Sequence, residues 1–205
     1  MALAVVAFMA VGVIYLLNAW RRRPADLALK GQSVSFSLPS GAMELRLPKF
    51  LTETYGPARA VGDEKVLGLR AGDPDRGNFV VIALSQADAV PFAGNGFEPW
   101  LADAYLECLA TGDSKTGRNW WALEANQDLP STPYEMKFVV ARNTIPLVSR
   151  TCLAGTNTLS DVNVRVFGAF TGLNMERFRS DLELMFRSLV VSPERARERL
   201  GMRAE

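Results

Sequence analysis

An uncharged apolar run opens the chain. Residues 2–19 read ALAVVAFMAVGVIYLLNA and contain no Asp, Glu, Lys or Arg. A helix of that length covers about 27 Å, close to the hydrocarbon thickness of a bilayer. Trp20 stands where an interfacial aromatic belongs, and Arg21, Arg22 and Arg23 follow it as a basic stop that suits anionic lipid headgroups. The pattern predicts a single-pass transmembrane anchor over residues 1–23.

The alternative to an anchor is a cleavable signal peptide. Such a peptide has basic residues before its apolar run and a small-x-small cleavage site after it. Here the basic cluster follows the run, and the sequence LNAWR at its end is a poor cleavage site, so we favour the anchor. The same charge asymmetry, by the positive-inside rule, favours a bacterial-type inner membrane with the rest of the chain in the cytoplasm; a periplasmic domain is the alternative.

The remainder of the chain alternates between strand-like runs and turn sequences. After a connector over residues 24–32, apolar alternation and short apolar runs predict strands bounded by Gly, Pro and Asp. The predicted strands are Ser33–Leu38, Met43–Leu47, Glu64–Leu69, Phe79–Leu84, Tyr134–Arg142, Ile145–Leu153 and Val162–Phe170. In the last of these, the valines at 162, 164 and 166 share one face and Asn163 and Arg165 the other.

Three segments have helical periodicity. The first is Pro99–Ala110, which Gly112 ends, and the second begins at Asn174 as N-cap and carries one apolar stripe from Phe178 to Leu189. Residues 192–205 predict a short charged helix that we expect to lie on solvent, lipid headgroups or a partner. Together these elements predict an α+β domain over residues 33–191, with an antiparallel sheet flanked by helices.

Composition narrows the chemistry. The 205 residues carry a net charge of +1, which argues against nucleic acid as a partner, since phosphate binding usually leaves a basic excess. The chain has no histidine, so it lacks the commonest general base and metal ligand. We therefore expect no enzyme activity, no cofactor and no metal site.

The most tempting motif is a P-loop-like segment. Gly112 and Gly117 have the spacing of a phosphate-binding loop, but Arg118 stands where Lys is needed and Asn119 where a hydroxyl should reach magnesium. A surface loop is the better interpretation. Cys108 and Cys152 have no histidine to activate a thiolate, and they form either a single disulfide or two small buried side chains.

Four aromatic residues border a Gly-rich loop and a polar loop: Phe97, Trp100, Trp120 and Trp121. Adjacent tryptophans on a strand point to opposite faces, so one of the last two is expected in the core and the other at the surface. Exposed aromatics often mark partner sites, and core packing is the alternative. These four are the candidate partner contacts.

Two segments resemble a known family. They are VSFSLP, from Val34 to Pro39, and the closing FRSDLELMFRSL, from Phe178 to Leu189. Domains of the Mog1/PsbP-like fold often begin with a strand ending in LP and end in a helix of similar pattern, and the likeness covers residues 33–191. The resemblance implies a non-enzymatic auxiliary or scaffolding role beside a larger membrane assembly, such as a photosynthetic or respiratory energy-transducing complex. A stand-alone cell-envelope assembly or ligand-binding factor is the other hypothesis.

Overall fold

A seven-stranded antiparallel sheet organises the domain. The computed structural model describes residues 25–113, 121–123, 134, 136–143 and 150–202. The strands are β1 Ser33–Ser37, β2 Met43–Pro48, β3 Arg59–Gly62, β4 Val66–Asp73, β5 Asn78–Ser85, β6 Trp121–Leu123, β7 Lys137–Asn143, β8 Arg150–Leu159, β9 Val162–Thr171 and β10 Val190–Val191. The large sheet has the order β3-β4-β5-β9-β8-β7-β6, and β1-β2-β10 form a small second sheet.

Four helices accompany the strands in this part of the chain: α1 Leu101–Asp113, α2 Gly172–Arg177, α3 Arg179–Arg187 and α4 Pro193–Arg199. A helical turn at residues 25–28 and a π-helical turn at Phe50–Thr54 precede the large sheet. The predicted α+β class with antiparallel sheets is confirmed. The predicted anchor, with Trp20 and Arg21 to Arg23, lies outside the described residues; within them, no helix is long and apolar enough to span a bilayer.

Both faces of the large sheet are covered, which explains why β5 is almost entirely apolar. All eight residues of β5 are buried, because this strand lies in the interior of the sheet between two hydrophobic layers. One layer contains the small sheet, the π-helical turn, α2 and α3. The other contains α1 and the loop before it. The alternation predicted for β9 is confirmed, since its valines at 162, 164 and 166 are fully buried in the first layer.

A tight hairpin fixes the register of the two longest strands. The β8–β9 turn has Ser160 and Asp161 at its centre, with φ of 46° and 69°. Positive φ at both central residues is the signature of a type I′ turn, whose twist matches that of the flanking strands. Leu159 therefore faces Val162 directly, and the pairing continues to Arg150 opposite Thr171.

Several predicted boundaries are wrong. The strand expected at Ile145–Leu153 is observed at Arg150–Leu159, because pairing with β9 extends it through a polar segment; residues 144–149 lie outside the described part. The strand expected at Glu64–Leu69 runs instead over Val66–Asp73. The short strands β3, β6 and β10 were not predicted.

The helix predictions need three corrections. Asn174 is not an N-cap: the helix begins at Gly172, and Phe178 separates α2 from α3. The helix expected to end at Gly112 continues to Asp113. The last helix does not lie wholly on solvent, since Ala196 is fully buried and Leu200 is 3% exposed.

Candidate functional site

Trp100, one of the four candidate contact residues, is accessible in the structure. It immediately precedes α1 and is 42% exposed. Its indole stands edge-on to the buried Phe79, with ring centroids 5.9 Å apart and planes at 86°. This packing holds one edge of a large aromatic side chain in place and leaves the rest to solvent, an arrangement that suits a protein contact because little side-chain entropy remains to be lost.

Phe97 is less accessible than Trp100. It is partly buried against the second core layer, and its ring is 5.9 Å from that of Phe92. A Cβ placed on Gly68 would lie 2.9 Å from Cζ of Phe97, so the ring occupies the space that this glycine leaves. Trp121 lies in β6, opposite Asn143, and Trp120 lies outside the described residues.

Glu98, which stands between Phe97 and Trp100 in the sequence, forms an ion pair with the sheet. Arg70 of β4 pairs with Glu98 through Nη1 and Oε1, and both side chains are largely shielded. The second carboxylate oxygen of Glu98 is buried and has no hydrogen-bond partner among the residues that the structure describes. The pair therefore ties the loop before α1 to the sheet and supports the position of Trp100.

A disulfide holds α1 on the sheet. The structure brings Cys108 of α1 to Cys152 of β8 as a disulfide, with their Cα atoms 6.6 Å apart, and each residue is 1% exposed. Of the two possibilities left open by the sequence, the structure has the paired one. Because the bond joins a helix to a strand, it limits separation of α1 from the large sheet.

The connector ahead of the domain is docked onto it through a buried carboxylate. Asp26 is 2% exposed, and its Oδ2 accepts a hydrogen bond of 3.0 Å from the Tyr55 hydroxyl. Asn174 donates to that hydroxyl at 3.1 Å and to Oδ1 of Asn78 at 3.0 Å. The backbone N–H of Thr171 also donates to Oδ1 of Asn78. We call these four side chains, Asp26, Tyr55, Asn78 and Asn174, the N-terminal clamp.

Backbone contacts reinforce the docking. Both carboxylate oxygens of Asp181 in α3 accept from the N–H of Gly31, at 3.1 and 3.2 Å. The N–H of Lys49 donates to the carbonyl of Gln32 at 2.9 Å, and Leu29 packs against the first core layer. Residues 25–32 are therefore held against the domain by several independent contacts.

Sequence reasoning missed the clamp. Asn78 fell just before the predicted strand Phe79–Leu84, Asn174 was interpreted as a cap, and Asp26 fell in the connector. Within the described ranges, no cluster of three or more His, Cys, Asp or Glu is arranged to hold a metal ion.

Comparisons with known proteins add little to this geometry. No family model matches the chain, and no curated protein matches it. A crystal structure from Bacteroides thetaiotaomicron VPI-5482 is similar over 78% of this chain, with 11% identity and a TM-score of 0.41. The chain spans about half the length of that protein, since the match covers 49% of it.

Proposed function

We propose that this chain is a non-catalytic, membrane-anchored accessory subunit whose α+β domain docks on a larger membrane protein complex. The anchor is the apolar run ending at Trp20 and Arg21 to Arg23. The observation that carries the proposal is the N-terminal clamp together with the Asp181–Gly31 contact. A domain on a flexible tether samples many orientations, whereas one clamped at its first residues presents the same face to its neighbours.

The surface proposed for the contact is centred on Trp100. An exposed Trp that is held at one edge by Phe79 supplies large contact area at low entropic cost. The exposed Asp103 lies one turn further along α1, which gives the surface an acidic rim. The energy-transducing nature of the complex, and the Mog1/PsbP-like relationship itself, belong to this proposal through the resemblance of residues 33–191.

Co-purification tests both parts of the proposal. The full chain is extracted in mild detergent and its partners are identified by mass spectrometry. We expect a stoichiometric membrane complex, which Trp100→Ala weakens because the aromatic anchor of the contact is lost. Leu184→Ala is the matched control: this residue is 43% exposed but lies on α3, in the opposite layer.

The outcomes distinguish the accessory role from the assignment of Trp100 to the contact surface. A wild-type chain that runs alone contradicts the accessory role. A complex that survives Trp100→Ala as well as it survives Leu184→Ala keeps the role but removes Trp100 as the contact.

A second function is favoured by the disulfide. Cytosolic thiols are normally kept reduced, so the Cys108–Cys152 bond supports a domain in an oxidising compartment, and hence a cell-envelope assembly or ligand-binding factor with a periplasmic domain. The charge bias of Arg21 to Arg23 supports the cytoplasmic side instead. Maleimide labelling distinguishes a periplasmic from a cytoplasmic domain. Cells are lysed under denaturing conditions in the presence of a membrane-permeant maleimide reagent. An oxidised cysteine pair is not labelled without prior reduction, whereas a cytoplasmic dithiol is labelled twice.

A further inference from the structure

A half-buried arginine lies between the large sheet and the loop that follows β5. Arg165 of β9 projects on the α1 side, opposite Ala83 and Thr156 in the neighbouring strands. Its Nη1 donates to Oγ of Ser85 at 2.8 Å and to the carbonyl of Ala89 at 3.0 Å. Both acceptors are neutral.

The other two nitrogens of the guanidinium are Nε and Nη2. Among the residues that the structure describes, neither Nε nor Nη2 makes a hydrogen bond, and no carboxylate forms an ion pair with Arg165. These two nitrogens form one edge of the guanidinium plane, the fork that binds carboxylate or phosphate oxygens in pairs. The protein's own contacts thus occupy one nitrogen and leave a complete bidentate edge.

The surroundings favour a negative charge. Burial lowers the pKa of Arg165, which reflects the cost of holding this cation away from water, and no described anion repays that cost. The Tyr105 phenol stands nearby, and burial raises its pKa, so it remains a neutral hydrogen-bonding group. The Tyr105 hydroxyl donates to the carbonyl of Gly155 over a long 3.5 Å, and the neighbouring Thr156, which lies directly opposite Arg165, is exposed, so the cluster opens to solvent.

We propose that the Nε–Nη2 edge of Arg165, together with the hydroxyls of Tyr105 and Thr156, forms a binding site for the oxyanion of a small ligand, a carboxylate or a phosphate. A purely structural role, in which Arg165 only ties the loop at Ala89 to the sheet, would be complete with the Nη1 bonds alone. The site goes beyond the proposed accessory role, because it requires a diffusing ligand and no partner subunit.

Protection from arginine modification tests the site in the unaltered full chain. The detergent-solubilised protein is treated with phenylglyoxal in chloride, succinate or inorganic phosphate at matched ionic strength, and modified residues are quantified by peptide mass spectrometry. We expect succinate or phosphate to slow modification of Arg165 about threefold at an anion concentration twice its Kd, with saturation. Arg59, exposed on β3, is the internal control and keeps its rate.

Each outcome bears on the proposal. Protection of Arg165 by succinate alone identifies a carboxylate ligand, protection by phosphate alone a phosphate ligand, and protection by both a general oxyanion site. Equal rates in all three salts, equal slowing at Arg59, or an Arg165 that does not react even in chloride would overturn it. As a second measurement, Arg165→Gln should abolish the anion-dependent rise in Tm that the wild type shows, and a variant that retains the rise contradicts the site.

Discussion

Removing the Cys108–Cys152 bond, which joins α1 to β8, should lower the stability of the domain by several kcal/mol, about 4 on the chain-entropy estimate. The perturbation is made in two ways: chemical reduction of the wild type, and the double substitution Cys108→Ala and Cys152→Ala. Both eliminate the link between α1 and β8. Only the second also removes the two buried sulfur atoms, so the comparison separates the cross-link from its packing.

The expected magnitude follows from the loop that the bond closes. The two cysteines are 44 positions apart in the sequence. The chain-entropy relation gives a reduction in denatured-state entropy of about 13 cal/mol/K for a loop of this size, or about 4 kcal/mol near room temperature. Each truncated side chain adds the loss of one buried sulfur, so the double variant should be less stable than the reduced wild type.

The assay is equilibrium unfolding in urea, followed by tryptophan fluorescence, with the full chain in one non-ionic detergent. The reduced sample is first unfolded in the presence of a phosphine reductant, because the bond is buried and is reached only when the chain opens. The double variant, with and without reductant, is the control for effects of the reagent itself. A wild type whose unfolding free energy changes by less than about 1 kcal/mol on reduction would refute the entropic argument.

The remaining predictions concern the N-terminal clamp and the Tyr105 phenol of α1. Asn174→Ala removes the donor to both Asn78 and Tyr55 and should lower the free energy of unfolding in urea by about 2–3 kcal/mol. The control is Thr158→Ala on the exposed end of β8, which should change that free energy by less than about 0.5 kcal/mol. Equal effects of the two substitutions would contradict a structural clamp. Because burial raises the pKa of Tyr105 above 10.0, the unfolded phenol ionises first, so its contribution is present below pH 10.0 and is lost as pH rises through the folded pKa. Stability of the wild type should fall there by up to about 1.4 kcal/mol per pH unit more steeply than that of Tyr105→Phe, and parallel pH curves from pH 8 to 11 would count against this assignment.

Local periodicity predicted the parts of the fold that depend on neighbours in sequence. The alternation in β9 correctly assigned its valines to one buried face, and the stripe predicted from Phe178 to Leu189 correctly placed Phe178, Leu182 and Phe186 in the core. In a half-buried strand every second side chain meets the core, and in a helix every third or fourth does. The buried face can therefore be predicted from the order of apolar and polar residues. Of the four aromatics named as candidate contacts, Trp100 is 42% exposed and Phe97 is partly buried.

The failures have a common physical cause. Asn174 has the composition of a cap, but its amide is satisfied by Tyr55 and Asn78, 119 and 96 positions away. The polar end of β8 has no apolar alternation, and it is a strand only because β9 supplies its hydrogen bonds. Arg165 was assigned to the polar face of its strand. The sequence of the strand does not show whether that face is exposed to solvent or covered by α1. In each case a long-range partner decides the outcome.

The two layers on the large sheet differ in what they leave unsatisfied. In the layer with α2 and α3, the polar side chains of the N-terminal clamp bond to one another and hold the connector that follows the predicted anchor, although the buried Oδ1 of Asp26 has no hydrogen-bond partner among the described residues. The layer with α1 is pinned by a disulfide and an ion pair, yet it retains an exposed indole at Trp100 and an unused guanidinium edge at Arg165. Their sheet contacts, Phe79 and Ala83, are four residues apart on β5, or about 13 Å. As the accessory subunit proposed above, the domain would be held to its membrane on one side and would offer its binding capacity on the other, so it could reach a neighbour or a ligand while its own attachment stays fixed.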